Sequence, residues 1–148
     1  MDAPQSSTAL WDAYRRTTYA VQTGHGEIRI HPGRRSPELD TLLDQRHVDQ
    51  WAYVTAYNPA SRLLSEPDNI RRQQALVDAV RDRGLTFFEG ASVLDAVAWP
   101  PEPSLLILGI PLDDARALGR EFGQLAILAG RLGEPACLVA CEDEQNES

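Results

Sequence analysis

Lysine is absent: all 14 basic residues of the 148-residue chain are arginine. This excludes chemistry that needs a side-chain amine, including Schiff bases, pyridoxal phosphate anchoring and the lysine of a phosphate-binding loop. Cysteine is scarce, with Cys137 and Cys141 alone. On one strand their Cα atoms would stand about 13 Å apart, beyond disulfide reach. Two thiols without neighbouring histidines also fall short of the four ligands of a structural zinc site. Inert thiols are expected, with no metal and no cofactor. Histidine is limited to His25, His31 and His47, all in the first third and at no spacing typical of a metal pair. The catalytic signatures G-x-S-x-G, H-E-x-x-H and C-x-x-C are missing.

Long apolar runs are lacking too. The longest, Leu105 to Leu112, is too short to span a bilayer. The opening MDAPQSSTALW has neither the basic nor the apolar region of a secretory signal, so a cytoplasmic location is expected. Positive charge is in deficit: 22 acidic residues against 14 basic give a net charge of -8. A surface of that sign opposes binding to nucleic acid or to an anionic membrane.

What is present is ordinary globular composition, 43% hydrophobic and 24% charged. It supports one α+β domain over residues 7–141 with a frayed acidic tail at 142–148. Leu10, Trp11 and Tyr14 share one face of a short helix at Thr8–Arg15. The runs Thr17–Val21 and Glu27–His31 read as a hairpin, and Ser36-Pro37 opens a helix carrying Leu39, Leu42 and Leu43. This front third reads as an addition to the main body.

From Trp51 the pattern is cleaner. Trp51–Tyr57 alternates as a strand with Trp51, Tyr53, Thr55 and Tyr57 on one face. Ser65 caps a helix that stops at Gly84, and Leu85–Glu89 forms the next strand. Gly90–Pro103, with three prolines, reads as a loop before the apolar strand Ser104–Ile110. Asp113 is expected to cap a helix ending at Gly123. Strands Gln124–Leu128 and Ala136–Ala140 follow, joined by a loop containing Gly130, Gly133 and Pro135. The central order is strand, helix, strand, strand, helix, strand, which predicts a ferredoxin-like split βαβ core (βαββαβ) with an N-terminal helix and hairpin extension and a C-terminal hairpin strand.

In that topology one edge collects the end of the first core strand, the start of the first core helix, the loop after the second strand and the starts of the last two. The residues delivered there are Thr55, Asn58, Ser61, Asn69, Arg72, Trp99, Glu102, Ser104 and Gln124. Polar groups from distant segments beside a helix N-terminus suit a ligand site. Arg72 with the helix N-terminus is the expected holder of an anionic group, and Asn58, Ser61 and Gln124 the expected hydrogen-bonding partners. Each residue also has a purely structural reading: Asn58-Pro59 starts a turn, Glu102 pairs with Arg72, and Gln124 satisfies a backbone group. The aromatic face of Trp51, Tyr53 and Tyr57 could stack bases in an RNA-binding module, but the charge opposes this. If uncovered, the same face would suit a homodimer.

Several of these segments together resemble a known bacterial family. They are Tyr14 and Thr17-Thr18-Tyr19, TAYNPAS from Thr55 to Ser61, Ser65 with Asn69 and Arg72, Glu102-Pro103-Ser104, and Phe122-Gly123-Gln124. The family is domain of unknown function 3293, and the resemblance runs from Tyr14 to the neighbourhood of residue 140. It implies no known reaction. The expected function is a non-catalytic module binding a small anionic ligand or a protein partner through the polar edge. The alternative is an enzyme using Glu102 and Arg72 on a small anionic substrate.

Overall fold

The computed structural model describes residues 7–94 and 100–142. Helix α1 (Ser7–Arg15) leads into the hairpin β1 (Thr17–Thr23) and β2 (Gly26–Ile30), then α2 (Pro37–Gln45) and β3 (Gln50–Val54). A 3₁₀ turn at Pro59–Ser61 precedes α3 (Glu66–Asp82), β4 (Phe87–Leu94), β5 (Glu102–Leu108), α4 (Leu112–Glu121), β6 (Ala126–Arg131) and β7 (Cys137–Ala140).

Local chemistry sets the helix boundaries. The hydroxyls of Ser36 and Ser65 accept from the backbone N–H groups of Leu39 and Asp68, each at 3.2 Å, and Pro37 and Pro67 follow in the first turns. The fourth helix differs from expectation. Pro111 takes its N-cap position, and Asp113 and Asp114 lie inside the first turn, where their charges face the unpaired N–H groups.

The strands form one seven-stranded sheet in the order β2-β1-β4-β5-β3-β6-β7, and each ladder is antiparallel. The sheet curls until its two ends meet: Pro32 bridges to Ala136, and Gly33 N–H donates to the Ala136 carbonyl at 2.8 Å. Alternation along the strands divides the core in two. Ala52, Val54, Leu105, Ile107 and Ile127 face α3 and α4, while Trp51, Tyr53, Leu106, Leu108 and Leu128 face α2 with its Leu39, Leu42 and Leu43. Burial on both faces is why β5 reads as an unbroken apolar run. Each fully buried Leu or Ile contributes on the order of 2 kcal/mol.

The structure places the front third and changes several sequence expectations. The front third joins the sheet: β1 pairs with β4 and lengthens it, and residues of β1, β2 and α2 cover the aromatic face of Trp51 and Tyr53, each 3% exposed. The segment read as a loop from Gly90 is strand as far as Leu94, and β5 begins at Glu102, with Ala91 opposite Pro103. Proline is tolerated because β5 has run past the end of β3. The Pro103 carbonyl points to that side and accepts from Thr55 Oγ1 at 2.6 Å, so the missing N–H costs no ladder bond. Lastly, β3 ends at Val54. Ala56 N–H donates to Gln73 Oε1 and Tyr57 N–H to Thr55 Oγ1, the two-residue alternation stops, and the Tyr57 hydroxyl bonds Glu66 at the start of α3. Gly130, read as loop, lies in β6. Trp99 and the tail from 143 onward lie outside the described residues.

Candidate functional site

The chain leaving β3 makes a turn held by side chains as well as by main-chain bonds. Asn58, Ala60 and Ser61 all take left-handed backbone conformations, with φ of 47°, 54° and 61°. Such conformations cost roughly 1–3 kcal/mol each for non-glycine residues and persist only where surrounding contacts enforce them. Asparagine tolerates this region best, since its short amide bonds locally. Asn58 is 4% exposed and is bonded on every side. Its N–H donates to Asn69 Oδ1 at 2.9 Å, and its Oδ1 accepts from Leu64 N–H at 2.9 Å and Asn69 Nδ2 at 2.8 Å. Its Nδ2 donates to Glu102 Oε2 at 2.8 Å.

The Phe122-Gly123-Gln124 segment clamps the same turn. Ala60 N–H donates to the Gly123 carbonyl at 2.8 Å. Gly123 has a φ of +74°, and a Cβ there would meet Pro59 Cβ at 2.7 Å, so both conformation and close approach require glycine. Arg72 donates from Nε to the Ala56 carbonyl at 2.8 Å and from Nη2 to the Phe122 carbonyl, tying the two segments together. Gln124 Nε2 donates to the carbonyls of Tyr57 at 3.0 Å and Phe122 at 3.3 Å.

In front of this braced rim lies a pocket of about 360 Å³. Its polar wall carries Thr55, Asn58, Ser61, Glu102, Ser104 and Gln124, with Ser92 from β4; Leu10, Ala13 and Tyr14 of α1 close the other side, and Tyr19 and Tyr53 rise from the sheet. The two sheet tyrosines pack edge to face with ring centres 5.2 Å apart. Their hydroxyls donate to main-chain carbonyls, Tyr19 to Tyr14 at 3.0 Å and Tyr53 to Ala20 at 2.8 Å. The Tyr14 hydroxyl lies 3.2 Å from Ser61 Oγ, so α1 is fastened directly to the strained turn.

Burial raises the Tyr14 phenol above its ordinary value; the Ser61 hydrogen bond works against the rise and the Glu102 charge adds to it. Tyr19 is raised further, again chiefly by burial, with the Thr17 hydrogen bond opposing and Tyr14 and Glu102 reinforcing. Tyr53 is raised by burial, with Ser104 opposing. These phenols are held in the neutral form, as hydrogen-bonding and packing groups.

The edge expected from the sequence thus divides in two. Thr55, Asn58, Ser61, Glu102, Ser104 and Gln124 converge on one pocket. Asn69 and Arg72 approach the same turn from behind, because α3 covers the opposite face of the sheet, and their polar atoms are engaged by Asn58, Ala56 and Phe122. Glu102 accepts a hydrogen bond from Asn58, and the Arg72 guanidinium bonds the carbonyls of Ala56 and Phe122. Sequence reasoning missed Tyr14, Tyr19, Tyr53 and Ser92 as pocket residues, since their convergence depends on β1 pairing with β4. Among the described residues, no group of three or more His, Cys, Asp or Glu side chains converges to hold a metal ion.

A family model described as protein of unknown function (DUF3293) matches residues 54–127, half of the chain. The match spans the polar wall from Thr55 to Gln124, while Leu10, Tyr14 and Tyr19 lie before it. No curated protein and no solved structure matches the chain.

Proposed function

The chain belongs to the DUF3293 family of proteins of unknown function, and we propose that it is a non-catalytic module that binds a small molecule in the pocket between α1 and the Asn58–Glu102 rim. The observation that carries this reading is the coincidence of three left-handed, non-glycine residues with the turn that brings Asn58 and Ser61 to the polar wall. Backbone strain of this kind is maintained here by Asn58, Asn69, Arg72 and Gly123 together. A turn needed only for chain reversal has cheaper solutions. The pocket volume sits near the lower end of the range for small-molecule sites, and its mixture of ring surface with a few placed polar groups is typical of them.

A ferredoxin-like split βαβ core is the reading of the fold that goes with this proposal. Its support is the order β4-β5-β3-β6, with α3 joining β3 to β4, α4 joining β5 to β6, and both helices packed on one face. The catalytic alternative has less support: it requires Arg72 on an anionic substrate, and that guanidinium is bonded to two main-chain carbonyls.

A thermal-shift screen of small organic molecules against the wild-type chain and Ser92→Phe tests the reading. The added ring projects into the pocket from β4. Compounds that stabilise the wild type and lose their effect in Ser92→Phe are expected. Stabilisation that survives unchanged in the variant would place binding elsewhere and refute the proposal.

A further inference from the structure

The wall chemistry specifies the occupant more narrowly. Among the described residues lining the pocket, Glu102 is the one charged side chain, and neither arginine nor histidine is present. Its carboxylate is oriented by Asn58 Nδ2 at 2.8 Å. The neighbouring polar atoms are set mainly to accept. Gln124 turns its amide nitrogen to the carbonyls of Tyr57 and Phe122, which fixes the side chain's orientation and leaves Oε1 as an acceptor. The hydroxyl hydrogens of Thr55 and Ser104 are directed to the carbonyls of Pro103 and Glu102, so neither is directed at an occupant; Thr55 Oγ1 in turn accepts from Tyr57 N–H, and Ser104 Oγ keeps its lone pairs for other partners. Tyr19 and Tyr53 likewise direct their hydroxyl hydrogens to carbonyls, and what they offer an occupant is ring surface.

An anion would meet a like charge and few donors there. A cation with N–H groups would meet a carboxylate, an amide oxygen, hydroxyl lone pairs and electron-rich rings. Resting on the pocket reading above, we propose that the occupant is a small organic ammonium with an apolar body, its N–H groups toward Glu102 and Gln124 and its body against Leu10, Tyr14, Tyr19 and Leu138. The direction in which Glu102 moves the Tyr14 and Tyr19 phenols is consistent with a negative potential across this wall.

Calorimetric titration at pH 7 with phenethylamine, 2-phenylethanol and phenylacetate tests this, because the three probes share one apolar body and differ in charge. The ammonium is expected to bind about tenfold or more tightly than the alcohol, and phenylacetate more weakly than either. In Glu102→Gln the amide oxygen can still accept from Asn58 Nδ2. There the advantage of the ammonium over the alcohol should fall to within about threefold, and an advantage that stays tenfold would overturn the charge inference. Equal wild-type affinities, or a preference for phenylacetate, overturn the charge inference and leave the pocket reading standing. Binding of none of the three overturns both.

Discussion

Asn58 is the point at which the account is most exposed to a stability measurement. Truncation in Asn58→Ala removes an acceptor from Leu64 N–H and Asn69 Nδ2 and a donor from Glu102. A buried group left without its partner costs about 1–3 kcal/mol. Asn69 Nδ2 keeps a second acceptor, the Leu64 carbonyl at 3.4 Å, and Glu102 is part-exposed, so those two losses fall at the low end. Alanine adds about 1 kcal/mol for the left-handed backbone. The sum is a loss of about 4–6 kcal/mol, read as a fall in urea midpoint at unchanged slope with the buried Trp51 indole as a fluorescence reporter. Asn58→Gly removes the same bonds without the backbone penalty and should be less damaging than alanine by about 1 kcal/mol. A loss below about 1 kcal/mol in Asn58→Ala would show that the hydrogen-bonded hub does not hold the turn.

Other consequences can be checked on the same chain. In Gly90→Ala the new Cβ would lie 1.9 Å from the Ala20 carbonyl oxygen, a main-chain clash; the β1–β4 pairing should open, with a loss above about 3 kcal/mol or failure to accumulate soluble protein, and near-native stability would contradict the strand register. Gly123→Ala should cost about 2–3 kcal/mol by urea titration, from its positive φ and the contact with Pro59. Tyr19 and Tyr53 titrate above their ordinary value of 10.0 when folded, so the unfolded chain loses those protons first. Their contribution is whole below that pH and is lost as pH rises beyond it, by up to about 1.4 kcal/mol per pH unit for each phenol; Tyr53→Phe should show a shallower alkaline decline than wild type. Burial pushes the Cys141 thiol up to about 11, whereas Cys137 is exposed, so a thiol reagent should modify one site rapidly in the native protein and the second only on unfolding.

Much of the fold was legible because local chemistry decided it. Ser36 with Pro37 and Ser65 with Pro67 mark helix starts that the structure reproduces, and the alternation from Trp51 to Val54 separates the two cores. The prolines at 100, 101 and 103 misled, since they argue against a central ladder only where a strand has neighbours on both sides at that residue, and β5 at Pro103 does not. The polar wall was legible from strand order alone. Its separation from Asn69 and Arg72 was not, because that depends on which sheet face α3 covers. The tyrosines were unreadable as pocket residues for a related reason: nothing local in Thr17–Thr23 says that it will pair with β4 rather than with the C-terminal hairpin.

The most direct measurement is a titration of the ¹⁵N-labelled chain with phenethylamine, following the side-chain amides of Asn58, Asn69 and Gln124. Occupancy between α1 and the rim should move the Gln124 and Asn58 amides, together with the backbone signals of Ser61 and Ser104, and leave the α3 and α4 face unmoved. Shifts confined to that opposite face, or none at all at saturating probe, would contradict it.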